Sequence, residues 1–173
     1  MTEISEIARA IKILALDVDG VLTDGRIYYG NEGEELKSFS IKDGLGVKLL
    51  QKDGIEVVLI TGRSSEIVAR RARELGINEV IQGREDKITA LREICTARQL
   101  QTEQCAYMGD DLPDLGAVRA AGIGMAPADA VSPLLVAADW VSDFGGGAGA
   151  VRQACEQLLS WRGSLAQHLA DFD

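Results

Sequence analysis

Acidic residues stand in two short clusters whose spacing invites chemistry. The first reads Asp17-Val18-Asp19-Gly20-Val21-Leu22-Thr23-Asp24-Gly25, the second Gly109-Asp110-Asp111-Leu112-Pro113-Asp114. Carboxylates at i and i+2 repel each other unless a cation or a shared proton lies between them. Asp17, Asp19, Asp110, Asp111 and Asp114 directed at one spot would form a hard oxygen donor set, the kind that suits Mg²⁺ with water and a phosphate oxygen. Either cluster alone reads equally as a solvated acidic turn. Two of them, each behind an apolar run, point to a site. A calcium loop of the EF-hand type does not fit, because Gly20 falls at its fourth position and Tyr28 where the closing Glu belongs. Thr61-Gly62-Arg63 adds a hydroxyl and a guanidinium, and Lys87 an ammonium. Alone, Thr61 reads as a helix cap and Lys87 as a solvated helix residue. Around a nucleophilic Asp and Mg²⁺, they make a set for phosphoryl transfer.

These groups need elements to hold them. Ile13–Leu16 and Glu56–Ile60 are apolar runs of strand length, and 79–81, 105–108, 123–125 and 140–141 are shorter ones. Helical periodicity falls near 44–53, 64–75, 86–99, 114–121, 131–137 and 148–161. Strands apolar on both faces and separated by helices predict an α/β fold, an open parallel sheet with helices on both faces. Ligands in such sheets bind beyond the carboxyl ends of the strands, where the clusters and Thr61 fall. Residues 25–39 break the rhythm: two strand-like pieces around Gly30-Asn31-Glu32-Gly33 predict a β-hairpin inserted after the first strand. Gly145-Gly146-Gly147-Ala148-Gly149 opens the last helix rather than the first, so it reads as flexible helix entry, not as a dinucleotide loop.

Composition narrows the classes. The 173 residues are 46% hydrophobic and 26% charged, enough for a sizeable core, and read as a single domain over 1–173. The formal net charge of −9 argues against nucleic acid or an anionic membrane surface as the main partner. No apolar run has the length of a membrane span, and the first residues lack the order of a signal peptide, so a cytoplasmic location is expected. Three cysteines without a C-x-x-C indicate neither a disulfide framework nor a thiolate zinc site. The one histidine, His168, reads as a surface residue near the end of the chain. Carboxylates, lysines and hydroxyls must therefore do the chemistry.

The ordered set Asp17-x-Asp19-Gly20-x-x-Thr23, Thr61-Gly62-Arg63, Lys87 and Gly109-Asp110-Asp111-x-x-Asp114 resembles the haloacid dehalogenase (HAD) phosphatase superfamily. Lys42-Asp43-Gly44, Gln82-Gly83 and Gly147-x-Gly149-Ala150-Val151-Arg152 resemble the branch acting on sugar acid phosphates, over roughly 11–159. The tail 160–173 lies outside the resemblance. It implies Asp17 as nucleophile, Asp19 as general acid and base, and Mg²⁺ on Asp17, the Asp19 backbone carbonyl and Asp110. Thr61 and Lys87 would hold phosphoryl oxygens, and Asp111 and Asp114 would orient metal waters and Lys87. Ser40, Lys42, Asp43, Gly44, Lys48, Arg63 and Arg71 are the candidates for binding the sugar acid, although Arg71 in Arg70-Arg71-Ala72-Arg73 also reads as part of a solvated face. Phosphates of eight- and nine-carbon sugar acids both stay open as substrates. A catalytically silent relative would be expected to have lost Asp17 or Asp19, and a mutase to carry a cap. The length leaves no room for a separate cap domain, so the resemblance implies a homotetramer in which hairpins associate and neighbouring chains complete each site.

Overall fold

Short apolar runs become buried parallel strands here because helices cover both of their faces. The computed structural model describes residues 3–172. In chain order the elements are α1 (Glu3–Ala10), β1 (Ile13–Leu16), β2 (Tyr28–Tyr29), β3 (Glu35–Leu36), α2 (Ile41–Lys52), β4 (Glu56–Ile60), α3 (Glu66–Leu75), β5 (Glu79–Ile81) and α4 (Lys87–Ala97). They continue with β6 (Cys105–Met108), α5 (Leu115–Ala120), β7 (Ile123–Ala126), α6 (Ser132–Ala137), β8 (Trp140–Val141), α7 (Ala150–Arg162) and α8 (Leu165–Leu169). Six strands form one sheet in the order β5-β4-β1-β6-β7-β8, and every neighbouring pair is parallel. The expected open parallel α/β sheet is the one found.

Alternation along β1 divides the core. Leu14 and Leu16 pack with Val57, Leu59, Ala106 and Met108 against α1, α2, α3 and α7. Ile13 and Ala15 point the other way, with Val58, Ile60, Cys105 and Tyr107, against α4, α5 and α6. Burying such a side chain contributes about 1.5–3 kcal/mol, so the middle of the sheet is its most firmly fixed part. The chemistry-bearing loops leave from that middle: β1 lies between β4 and β6.

The hairpin sits between β1 and α2, as expected, with Tyr28 opposite Leu36 and Tyr29 opposite Glu35 in an antiparallel pair. Gly33 in its turn has φ +91°, a left-handed value that glycine adopts without strain. Two segments that carried no expected element are helical, and the readings of His168 and of the glycine stretch need correction. Helix α1 lies before the first expected element, and its Ile4, Ile7 and Ala8 pack on the core at helical spacing. The tail is structured too: α7 runs on to Arg162, and α8 follows Gly163, whose φ of +82° ends the helix. His168 is buried, because its Nε2 lies 2.9 Å from Asp53 Oδ1 while Arg162 Nε donates to Asp53 Oδ2 at 2.7 Å. The glycine stretch is not merely a flexible entry. A Cβ on Gly146 would fall 1.9 Å from the Gly20 carbonyl oxygen, and one on Gly147 2.7 Å from Thr23 C, so these glycines let two backbones touch. All three cysteines are free and buried.

Candidate active site

Residue Asp17 is the first past β1, and its N–H still donates to Met108 O on β6 at 3.0 Å. The chain then turns sharply: the Val18 carbonyl accepts from the N–H groups of Val21, Leu22 and Thr23. Thr23, fully buried, locks this turn by donating to Val18 O at 3.4 Å and accepting from Gly20 N and Gly25 N at 3.3 and 3.2 Å. Gly20 has φ +90°, and a Cβ there would sit 2.0 Å from Asp110 Oδ2. Glycine is thus needed twice over, for the turn and for the approach of Asp110.

The second cluster follows β6 in the same way. Asp114 is fully buried and every valence is used. Lys87 Nζ and Tyr107 OH donate to Oδ1 at 2.8 and 2.7 Å, and the N–H groups of Asp110 and Asp111 to Oδ2 at 3.2 and 3.3 Å. Lys87 begins α4 behind the N-cap Asp86, and its Nζ also reaches Asp17 Oδ2 at 2.6 Å. Thr61, buried, lies just beyond β4, with its N–H on Ile81 O of β5. One cavity of about 330 Å³ is lined by Asp17, Asp19, Thr61, Arg63, Lys87, Asp110, Asp111 and Asp114, with Gly25, Gly62, Glu85 and Pro113 completing its wall.

The electrostatics are those of a site short of cations. Oxygens of Asp17, Asp110 and Asp114 lie within 4.8 Å of one another, with Lys87 as their bound counter-charge. Burial pushes the Asp17 carboxyl up to about 8, with the charge on Asp114 adding to it and Lys87 opposing. Asp110 rises to about 7, again by burial first and Asp114 second. Burial works against the charge on Lys87, but Asp17 and Asp114 outweigh it and hold the ammonium above its ordinary range. Asp110 Oδ1 and Asp19 Oδ2 are buried with no hydrogen-bond partner. Hard oxygens with unspent valences beside excess negative charge fit a small divalent cation. Asp114 is saturated by its four donors, so it holds Lys87 rather than offering an oxygen to a metal.

Of the other sequence candidates, Arg63 and Asp111 stand at the edge of this cavity, and Ser40, Lys42, Asp43, Gly44, Lys48 and Arg71 lie outside its lining. Arg63 lies on the rim, where its guanidinium donates to Tyr29 OH and Glu35 Oε2 of the hairpin, both at 3.3 Å. Ser40 accepts from Asp43 N at 3.3 Å and caps α2. Asp43 is buried, and its Oδ1 accepts from Arg152 N at 2.8 Å, tying the start of α7 to α2. Lys42 is exposed on the first turn of α2. Gly44, Lys48 and Arg71 line a separate depression of about 290 Å³ with Ile41, Leu45, Glu74 and Leu75. Arg71 is no solvated residue: it donates to Ser40 O at 3.1 Å and stacks 5.8 Å above the Phe39 ring. Asp111 is exposed and accepts from Leu112 N. Two participants had no role in the sequence reading. Tyr107 sits inside an apolar strand, where a buried tyrosine hydroxyl needs a polar partner, and that could have flagged it. Lys37, from the hairpin, reaches Asp19 Oδ1, and no local pattern marks it.

A parallel α/β sheet that gathers carboxylates, a lysine and a hydroxyl at its carboxyl edge is the architecture of a phosphoryl-group hydrolase. A model of the haloacid dehalogenase-like hydrolases matches residues 34–122, and the chain belongs to that family. It is 45% identical to the 3-deoxy-D-manno-octulosonate 8-phosphate phosphatase of Yersinia pestis over 88% of this chain and 81% of the relative. The Escherichia coli K12 enzyme of the same name is 44% identical over 91% of this chain and 84% of its own. The crystal structure of the Moraxella catarrhalis 3-deoxy-D-manno-octulosonate 8-phosphate phosphatase, in complex with magnesium ion, phosphate ion and KDO, superposes with a TM-score of 0.97. Its identity is 45%, covering 100% of this chain and 99% of that one.

Proposed function

We propose that the chain is a magnesium-dependent phosphomonoesterase that hydrolyses 3-deoxy-D-manno-octulosonate (KDO) 8-phosphate to KDO and phosphate, a step in making lipopolysaccharide precursors. The observation that carries this is the meeting of Asp17, Asp19, Thr61, Lys87 and Asp110 in one cavity, in a chain so close to relatives of that name along its whole length.

The chain's own groups supply the steps. Asp17 attacks phosphorus, and the P–O bond to the sugar breaks as an aspartyl-phosphate forms; a carboxylate nucleophile splits one hard hydrolysis into two easier ones. Asp19, two residues on, gives its proton to the departing sugar oxygen and then takes one from the water that cleaves the aspartyl-phosphate. Lys87 and Thr61 hold phosphoryl oxygens as charge redistributes. Asp114, fully buried in the cavity wall, fixes Lys87 through the bond at 2.8 Å. Asp17, the Asp19 backbone carbonyl and Asp110 would hold Mg²⁺, which neutralises charge between an anionic nucleophile and a phosphate dianion. Asp111, exposed at the cavity wall, would orient metal-bound water. Arg63 on the rim would take the sugar carboxylate as a bidentate partner.

The reading extends to assembly and place. The working unit is a homotetramer of single, capless domains, supported by the apolar residues Tyr28, Tyr29 and Leu36 left exposed on the hairpin. The residues around α2 (Ser40, Lys42, Asp43, Gly44, Lys48) and Arg71 would then act at sites shared with a neighbouring chain. Among the described residues no helix is long and apolar enough to cross a membrane, and the expected location is the cytoplasm. A panel of sugar phosphates assayed for released phosphate tests the substrate: KDO 8-phosphate should give the highest kcat/KM, and a nine-carbon sugar acid phosphate exceeding it would displace this reading. Chelation with EDTA should stop turnover and added Mg²⁺ restore it.

A further inference from the structure

The side chain of Lys37 has no exposed surface, although its neighbours Leu36 and Ser38 are exposed on the hairpin. A buried ammonium is several kcal/mol unfavourable unless it is paired, so its partners define why it is there. Those partners are Asp19 Oδ1, in direct contact, and Glu35 Oε1 at 3.9 Å. Glu35 in turn accepts from Arg63 at 3.3 Å through its other oxygen. A charge chain Arg63–Glu35–Lys37–Asp19 thus joins the loop after β4, the hairpin and the loop after β1. At its end the two oxygens of Asp19 differ: Lys37 holds Oδ1, whereas Oδ2 has no partner.

We propose that Lys37 is a positioning residue for the proton-transferring carboxylate: it fixes the rotation of Asp19 so that Oδ2 meets the oxygen leaving phosphorus. This rests on the reading of Asp19 as the group that protonates the sugar. Proton transfer requires donor and acceptor within about 2.6–3.2 Å, and a carboxylate free to rotate spends most of its time outside that range. The exposed pair between Arg63 and Glu35 is the weak end of the chain, since pairs in solvent contribute little. Lys37 itself, clasped between Asp19 and Glu35, is the link that cannot be dropped. The hairpin, which lines none of the cavity wall beyond Gly25, thus reaches the site through Lys37 and aims an acid.

The test uses leaving groups. The alkoxide of a sugar needs a proton as the P–O bond breaks, whereas p-nitrophenolate leaves without one, and kcat/KM reports only the steps up to aspartyl-phosphate formation. In the full-length protein with Mg²⁺, Lys37→Met should lower kcat/KM for KDO 8-phosphate by about 10- to 100-fold, part of what general acid catalysis supplies. For p-nitrophenyl phosphate the fall should be less than about threefold, and Lys37→Arg should recover most of the loss. Equal losses on both substrates would overturn the proposal, since they would mark Lys37 as a structural staple or a phosphate contact. Asp19→Asn measured alongside separates the two readings. If it shows the leaving-group dependence and Lys37→Met does not, the role of Lys37 fails; if neither does, the reading of Asp19 fails as well. Should Lys37→Met melt well below the parent, Lys37→Gln carries the same comparison on a shorter polar stem.

Discussion

Two aspartates at opposite edges of the sheet are each gripped by cations, with opposite results. Asp53, between α2 and the start of β4, is held by Arg162 at 2.7 Å and His168 at 2.9 Å. Though burial works against it, its hydrogen bonds to His168, Ser164 and Arg162 hold its carboxyl below the ordinary range. Asp17, at the carboxyl edge, shares Lys87 with Asp114 and sits at about 8. At the first edge charge is satisfied and two helices are pinned. At the second, negative charge exceeds what the protein itself neutralises. The contrast separates a structural cluster from a receptive one: what matters is not whether a carboxylate has a partner but whether its neighbours leave a deficit that something bound can fill.

The comparison breaks most visibly at Asp17. Asp17→Asn should lower kcat more than about thousandfold, as loss of a covalent nucleophile does, while the circular dichroism spectrum is unchanged; activity within tenfold of the parent would refute the nucleophile. At the opposite edge, Asp53→Ala should leave kcat/KM within twofold and lower unfolding stability by about 2 kcal/mol, read from urea unfolding, because it takes the carboxylate from the half-buried Arg162 guanidinium and the partner from buried His168. A further effect concerns protons. A carboxyl whose folded value is raised is protonated at pH values where the unfolded chain is ionised, so folding of the metal-free protein loses stability as pH rises from about 4 towards 8. Asp53 has the opposite sign: its stabilisation is present above about 4 and is lost on acidification. With Asp17 and Asp110 as the proposed Mg²⁺ ligands, binding would displace their protons, so affinity should rise about tenfold per pH unit for each proton released between pH 6 and 8, then level off. Calorimetry in buffers of different ionisation enthalpy counts those protons, and a pH-independent affinity would mean the deficit is not at these carboxylates.

Much of the receptive edge was legible because of how parallel sheets are written. Buried strands are apolar runs, so a polar residue directly after one, such as Asp17 or Thr61, or one glycine further on, as Asp110 is, announces its place at the carboxyl edge. Lys87 was legible only in company, since nothing local distinguishes it from any lysine opening a helix. The satisfied edge was illegible: His168 meets Asp53 from 115 residues away, and no local period encodes that contact. Helix α1 is too short to stand out, although its Ile4, Ile7 and Ala8 carry the helical spacing. Around α2 the motif alone suggests sugar ligands, but it does not say that Asp43 Oδ1 accepts from the N–H of Arg152. Lys37 escaped because pieces two residues long fix no inward face.

The contact between Gly146 and the carbonyl of Gly20 has a consequence for inheritance. Even one methyl group at position 146 would push the loop carrying Asp17 and Asp19, so this position should be as unforgiving as any in the cavity itself. In a library of random variants of this chain, position 146 should accept nothing but glycine, which closes that point of backbone contact to drift.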